Sequence, residues 1–569
     1  MIWWMADEDR ARLEKAALAT LQEEHDWLTG VRVRFLENLQ LCIDVDVVHG
    51  GETFPLAVIY PTTFPDTPPI VMPYGDRRLS EHQYGAGGEL CLQWRPENWE
   101  SGVTGAMMVE SAYALIAAER PPDGRTGAVP SDHQSSLAAE LRFETWRLIV
   151  PQGAWETLDG HLSEMVVEVS LSLTARHLNR VAHLTAIGAP GSELWRSTQP
   201  FPKTAVRSGY LLRTQHDMSV LAQHGGGEFR DLAERVPELT PLFRRPDLPF
   251  LIVLEKIGRR TAYDIQWSRN GLPLLIPYRI IEEGELAKRS ASNREAISKK
   301  RVAVVGCGSI GSKIAVSLAR SGVSRFLLVD EDVFLTGNLV RNDLDARAIG
   351  WHKVDALSDR ILQIVADADV VTRKMALGGQ TSAVTMDSVL EQMGDCDLII
   401  DATANPTSFN LCAGVSQRCR KPMVWAEIFG GGIGGIVARA RPDTEPPPLE
   451  ARNQITTWCE THEKPWEPKP AGRYEANPEE GPPFIADDAD VTVIAAHATR
   501  FAIDVLEAGE AFPFSAYAIG LKKAWIFDAP FDTWPIDLGS PGTWEQTTKP
   551  VSSESVAGLM AELTGENAT

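Results

Sequence analysis

The run Val302-Ala303-Val304-Val305, followed at once by Gly306-Cys307-Gly308-Ser309-Ile310-Gly311, constrains this chain more than any other segment. Four apolar residues, three of them β-branched, predict a short buried strand, and the residues through Arg320 predict a helix directly after it. The three glycines have separate jobs. Gly306 permits the tight turn, Gly308 lets backbone approach a phosphate, and Gly311 lets the helix pack on the strand. The helix N-terminus then faces the phosphates with its N–H groups and the positive end of its dipole. A second strand, Arg325–Val329, ends in Asp330, placed to accept hydrogen bonds from ribose hydroxyls. These features demand an α/β nucleotide-binding fold and, taken alone, leave a nicotinamide dinucleotide open as the ligand.

The residues beyond the second strand favour a triphosphate. Asn338-Leu339-Val340-Arg341-Asn342 and then Lys353 supply an amide and two cations. A dinucleotide offers only a pyrophosphate, which the glycine loop already meets. ATP carries more charge, and Arg341 and Lys353 can stabilise the charge that develops as pyrophosphate leaves. Leu398-Ile399-Ile400 predicts another strand, ending in Asp401-Ala402-Thr403-Ala404-Asn405. Asp401 then sits at the carboxyl end of the sheet, where open α/β folds bind ligands, and its carboxylate can hold Mg²⁺. The reading is ATP with Mg²⁺.

At 569 residues the chain exceeds one hydrophobic core, and roughly 100–200 residues per domain predicts three to five domains. The expected fold class is multidomain α/β, divided at 1–125, 126–285 and 286–569. The first segment reads as a helix over Asp7–Leu28 and then an antiparallel meander. Period-two alternation runs through Val31–Phe35 and Leu39–Val47, with a third apolar stretch at Phe54–Tyr60 and a closing helix over Thr104–Glu119. The second segment is less legible: a helix near Ser131–Val150, strands at Val166–Leu173 and Phe250–Glu255, and no recognisable catalytic spacing. A charged helix over Glu283–Lys300 leads into the third. There, Pro442–Pro448 and Glu463–Pro483 read as a long surface crossover loop, and Ser540–Thr569 reads as a mobile tail.

Composition is that of a globular protein, with 44% hydrophobic and 23% charged residues. Lys plus Arg number 55 against 77 Asp plus Glu, and the resulting charge of −22 disfavours nucleic acid or an anionic membrane as the main partner. The acidic start MIWWMADEDR has no secretory character, and no apolar run approaches the roughly 18–20 residues that span a bilayer. A cytoplasmic location is expected. Seven scattered cysteines are not a disulfide framework and suit a reducing compartment in which a thiol can be a reagent. Cys42, Cys307, Cys396, Cys412 and Cys419 fall in strand-, helix- or phosphate-loop-like surroundings and read as structural. Cys459 falls within the expected crossover loop after a strand at Gly435–Ala440, with the access a nucleophile requires and His462 as a candidate activator. Cys91 lies in His82-Gln83-Tyr84-Gly85-Ala86-Gly87-Gly88-Glu89-Leu90-Cys91-Leu92-Gln93-Trp94-Arg95-Pro96.

Gly306–Gly311, Asp330, Asn338-Leu339-Val340-Arg341, Lys353 and Asp401–Asn405 together resemble the ThiF/MoeB/ubiquitin-activating superfamily. Its members adenylate the carboxyl-terminal glycine of a ubiquitin-like protein, usually as dimers. The resemblance implies a Rossmann-like adenylation domain over 286–569, ribose contact by Asp330, phosphate contacts by Asn338, Arg341 and Lys353, and Mg²⁺ at Asp401. It also implies an arginine just before the first strand, Arg294 or Arg289, and a homodimer formed through this domain. The CxxC pairs that hold structural zinc in sulfur-transfer members are missing, so no zinc is expected and ubiquitin-type chemistry is favoured, with Cys459 as the thioester cysteine. Residues 7–120 resemble ubiquitin-conjugating enzymes. The likeness rests on the helix and meander, Tyr60-Pro61, Phe64-Pro65-Asp66 and Pro68-Pro69, on His82 upstream of Cys91, and on Trp94-Arg95-Pro96. The usual His-Pro-Asn is replaced by His82-Gln83-Tyr84, leaving His82 or backbone amides near Gly87 and Gly88 for the oxyanion.

A conjugating-like domain ahead of an activating-like domain resembles the bacterial fusions of antiphage CBASS operons, with a linker or docking domain over 126–285. That implies a cGAS-like nucleotidyltransferase as carboxyl-terminal glycine donor, passed from Cys459 to Cys91 and on to target lysines. The same relay with a separate small ubiquitin-like donor, and a non-catalytic nucleotide-binding scaffold, are the alternatives.

Overall fold

A computed structural model describes residues 2–74, 79–80, 83–84, 88–120, 141, 144–151, 153–159, 165–197, 205–214, 250–255, 259–267, 269, 273–282, 294–379, 382–429, 431–462, 486–539, 544 and 552–564. His82, Gly87, Arg289 and most of the expected crossover loop, 463–485, lie outside these. The chain divides into two compact units, Met1–Phe143 and Glu144–Thr569.

The first unit opens with α1 (Trp3–Ala6) and α2 (Glu8–Glu24), whose N-terminus is capped by Asp7 accepting the Arg10 N–H at 2.9 Å. Strands β1 (Leu28–Phe35), β2 (Leu41–His49), β3 (Glu52–Ile59) and β4 (Ile70–Pro73) come next as an antiparallel meander in sequence order. The short pair β5 (Gln83–Tyr84) and β6 (Glu89–Leu90) leads to Cys91, and α3 (Gly105–Glu119) closes the unit from its Thr104 cap. The alternation read from the sequence is thus realised: Val45 and Val47 on β2, Leu56 and Val58 on β3, and Leu18 of α2 are all fully buried. Glu14 is buried with them, and its carboxylate accepts from Tyr60 Oη at 2.8 Å, the Gly105 N–H at 2.6 Å and Arg10 Nε at 2.8 Å. Three donors offset the desolvation of that charge and tie α2 to the end of β3 and the start of α3.

In the second unit the expected helix near Ser131–Val150 is overturned where the structure describes it, because Trp146–Val150 is a strand, β7. Its aromatic and β-branched residues find parallel partners on both sides, one of them more than a hundred residues downstream. Helix α4 (Ala154–Asp159) comes after it, then β8 (Met165–Arg176), β9 (Asn179–Ile187), β10 (Trp195–Arg196), β11 (Ala205–Thr214), β12 (Phe250–Glu255), β13 (Arg260–Trp267) and β14 (Pro273–Glu282). The strand order is β10-β9-β7-β14-β13-β12-β11-β8, and β8 also pairs with β9, which closes seven strands into a barrel.

The remainder is doubly wound. After α5 (Arg294–Ser298) come β15 (Arg301–Val305), α6 (Ser309–Ser321), β16 (Arg325–Val329), α7 (Lys353–Leu362), β17 (Asp369–Arg373), α8 (Ala383–Gly394), β18 (Leu398–Asp401), α9 (Pro406–Cys419), β19 (Met423–Phe429) and β20 (Gly434–Ala440). Helices α10 (Pro448–Thr461) and α11 (Asp488–Leu506), strands β21 (Ala516–Gly520) and β22 (Thr533–Ile536), and α12 (Ser553–Thr564) complete it. The sheet runs β17-β16-β15-β18-β19-β20-β21-β22, parallel through β19 and antiparallel after it. Strands β15, β16 and β18 are neighbours, so chain order reverses at β15, the switch point where such folds bind ligands.

Two expectations for the C-terminal third are corrected. Cys459 is not on an exposed loop: it lies on α10 and is 3% exposed, packed with Ala451 and Ile455. Pro447 and Pro448 do not break the chain there. Pro448 begins α10, where a missing N–H costs nothing, and Glu445 through Pro448 are buried rather than at the surface. The tail is not featureless either. Trp544 is buried with its indole N–H donating to the Glu445 carbonyl at 2.8 Å, and Ser553–Thr564 is helical.

Candidate nucleotide site and candidate thiols

The glycine loop is built by steric demand. Gly306 has φ +86°, and a Cβ there would lie 2.9 Å from Thr403 Cγ2 and 3.0 Å from the Ala402 carbonyl carbon. A Cβ on Gly311 would lie 1.8 Å from the Gly306 carbonyl oxygen, whereas one on Gly308 would meet nothing within 4 Å. The two outer glycines are therefore required by the protein itself, and the middle one opens onto space at the start of α6.

Asp330, leaving β16, braces this loop: Oδ2 accepts the Cys307 N–H at 2.7 Å and Oδ1 accepts the Asp332 N–H at 2.8 Å. Asn342 Nδ2 donates to the Cys307 carbonyl at 3.2 Å. Lys353, at the start of α7 and 7% exposed, is paired through Nζ with Asp332 at 2.6 Å. Asn338 lies in a 3₁₀ turn, Thr336–Val340, and its Oδ1 accepts the Leu335 N–H at 2.8 Å; Arg341, half-buried, comes directly after that turn. Asp401, at the end of β18, is 3% exposed and accepts from Thr403 Oγ1 at 2.7 Å and the Thr403 N–H at 3.1 Å. Burial pushes its carboxyl up to about 6, against the Thr403 hydrogen bonds and the Arg452 guanidinium, which pull it down. Glu427, on β19, is likewise raised by burial, with Arg452 opposing.

The structure thus gathers Gly306–Gly311, Asp330 and Asp401 around the ends of three adjacent strands, and places Lys353 beside them through Asp332. Arg294 opens α5, the short helix just before β15, and its side chain is outside the described set. Sequence reasoning missed Asn342 and Thr403 as loop anchors, although Asp-x-Thr is a recognisable turn pattern. It also missed Arg452, whose distance along the chain gave no signal. Asp401 fits a Mg²⁺ that takes one carboxylate and completes its shell with substrate oxygens and water. Among the described residues no group of three or more His, Cys, Asp or Glu side chains could hold a metal ion.

The thiols differ in setting. Cys91 directly follows β6 and is half-buried. Gln83 on β5 accepts the Ser80 N–H at 2.9 Å and donates to the Gly88 carbonyl at 2.8 Å. His462 is engaged with the helix end: its Nδ1 is 2.8 Å from the Trp458 carbonyl, and its ring packs on Trp458 at 4.3 Å. Cys42, Cys307, Cys396 and Cys412 are buried, as expected of structural thiols, and Cys419 is exposed.

Residues 282–446, which contain the glycine loop, Asp330, Asn338, Arg341, Lys353 and Asp401, match the ThiF family. The chain carries a ThiF domain. Outside the ThiF domain the likeness extends further: y4qC, an uncharacterized protein of Sinorhizobium fredii (strain NBRC 101917 / NGR234), is 24% identical over 516 residues, 82% of this chain and 85% of that protein. Two proteins named ATP-dependent ubiquitin transferase-like protein Cap2 match shorter stretches. That of Enterobacter hormaechei subsp. hoffmannii (strain UCI 50) is 29% identical over 37% of this chain and 34% of its own length. That of Pseudomonas aeruginosa (strain BWHPSA011 / Pa011) is 27% identical over 28% of each. The chain thus spans most of y4qC but about a third or less of the two Cap2 proteins. The ThiF domain and these relatives support a ThiF-containing protein with an enzyme of the adenylyltransferase type at its core. Among the described residues no helix is long and apolar enough to cross a membrane.

Proposed function

We propose that this chain activates the carboxyl-terminal glycine of a protein by ATP-dependent adenylation and passes it to target lysines through two thioesters. The reading rests on one arrangement: a glycine loop braced by Asp330, with Gly308 facing open space and the buried Asp401 across the neighbouring strand. Asp330 meets the ribose, while α6, Asn338, Arg341 and Lys353 meet the phosphates, with Arg294 in support. Asp401 would hold Mg²⁺, which neutralises phosphate charge.

The donor carboxylate attacks the α-phosphorus and pyrophosphate leaves. The Cys459 thiolate then attacks the acyl carbon and AMP leaves, and the Cys91 thiolate displaces Cys459. A lysine amine finally displaces Cys91 and forms an isopeptide bond. Residues 1–125 act as the ubiquitin-conjugating-like module, supported by the helix–meander–helix order and by a half-buried Cys91 directly after β6. His82 serves the oxyanion. The buried Cys459 enters the relay once α10 shifts. The donor is a cGAS-like nucleotidyltransferase, and two ThiF domains pair as a homodimer.

Thioester trapping on non-reducing gels tests the relay. With ATP and the donor, Cys459→Ala forms no thioester, and Cys91→Ala accumulates one on Cys459. Normal conjugation by Cys91→Ala would refute the two-thiol path.

A further inference from the structure

The barrel of residues 146–282 has an inside that can be read strand by strand. Trp146 and Leu148 on β7 face Arg180 and Ala182 on β9, and Ala182 faces Leu173 on β8. On β8, Leu171 faces Arg207 and Val169 faces Gly209 of β11; Gly209 faces Phe250, and Phe250 faces Asp264. Ala262, next but one to Asp264, faces Tyr278, and Ile280 returns to Leu148. The circuit closes on the face where it began, so these side chains share the barrel interior.

The two ends of that interior differ. At one, Ala154, Trp155 and Leu158 of α4 join Val150, Leu184 and Leu254 in a single buried cluster. There Arg213 donates to the Leu158 carbonyl, and the Arg260 guanidinium lies 4.5 Å from the Trp155 ring centroid. Helix α4 is a plug. At the other end a cavity of about 290 Å³ is walled by Leu173, Phe250, Tyr278, Arg180, Arg207 and Asp264.

A barrel of this size is either filled by its own side chains or holds one small ligand. Here three charged residues point inward beside empty volume. Arg180 is already engaged, 3.5 Å from Asp264 and stacked 4.2 Å from the Trp146 ring centroid. Arg207 pairs through its backbone with Leu171, and among the described residues its guanidinium, exposed at the rim, makes no hydrogen bond or ion pair. Two guanidiniums against one carboxylate leave the mouth with a net positive charge. Tyr278 stays a neutral hydroxyl, since burial pushes it up to about 12. The walls otherwise are aliphatic and aromatic except for Gln266, whose amide donates to Asp264 at 3.4 Å.

We propose that this barrel is a small-molecule binding domain whose open mouth takes an organic anion on an apolar body, with the anionic group on Arg207 and the body between Leu173 and Phe250. This stands apart from the adenylation chemistry. Calorimetric titration of the full chain, saturated with ATP, tests it with 3-phenylpropionate, phenyl phosphate and the uncharged 3-phenylpropionamide. At least one anion binds saturably at one site per chain and the amide does not; which anion binds tells a carboxylate ligand from a phosphate. Arg207→Gln weakens that binding at least about tenfold, Arg207→Lys keeps most of it, and neither changes the melting temperature. No saturable binding by either anion, equal binding of the amide, or wild-type affinity in Arg207→Gln overturns the proposal.

Discussion

The Gly306 carbonyl oxygen occupies the place where a Cβ on Gly311 would sit, 1.8 Å from it, so the turn and the first helical residues exist only as a pair. Gly311→Ala must push the loop off β15. It should cost about 3 kcal/mol and abolish ATP binding. Gly308→Ala meets nothing within 4 Å and should leave the melting temperature unchanged while weakening ATP binding. Thermal melts with and without ATP on both variants distinguish a glycine needed by the fold from one needed by the ligand.

Asp401 should trade stability for function. Its folded value of about 6 stands above the ordinary 3.8, so its stabilising contribution is fully present below pH 3.8 and lost as pH rises through about 6. Asp401→Asn keeps acceptors for Thr403 and removes the buried charge. Denaturant unfolding at pH 7.5 without nucleotide should show it more stable than wild type by ~1–3 kcal/mol, the gain vanishing by pH 4. Activity should be lost at every pH.

Cysteine burial predicts an order of reaction. Cys419 is exposed, Cys91 half-buried, and Cys459 only 3% exposed. Alkylation of the resting protein, followed peptide by peptide by mass spectrometry, should label Cys459 at least about tenfold more slowly than Cys419. Rapid labelling of Cys459 would mean that α10 is open at rest.

Trp544 anchors the chain that follows β22. Trp544→Ala removes a buried indole and its hydrogen bond to the Glu445 carbonyl, at a cost of roughly 3–5 kcal/mol. Truncation after Leu538 should cost about as much, and an unchanged denaturation midpoint would show the anchor to be incidental.

These residues also show how much of the molecule is legible from sequence. Period-two patterning exposed β1 to β3 because one face of a meander must be apolar, and the glycine loop announced β15, α6 and the switch point. The barrel stayed hidden for a physical reason. Arg180, Arg207 and Asp264 break the inward apolar pattern, and its parallel pairs, β7 with β9 and β14 and β11 with β12, join segments with no local signature. Cys459 was misplaced because Pro447-Pro448 reads as a breaker when it is a helix start. Asp332, the partner of Lys353, is visible only once β16 and α7 are set side by side.

Adenylation of a protein carboxyl-terminal glycine at the Asp330–Asp401 site is the step on which the rest of the relay depends. Exchange of labelled pyrophosphate into ATP measures it directly, with glycine-terminated proteins encoded by neighbouring genes as candidate donors. Exchange should require the donor's terminal glycine, persist in Cys459→Ala and Cys91→Ala, and disappear in Asp401→Asn. Absence of exchange with every such donor, or exchange unaffected by Asp401→Asn, would contradict adenylation at this site.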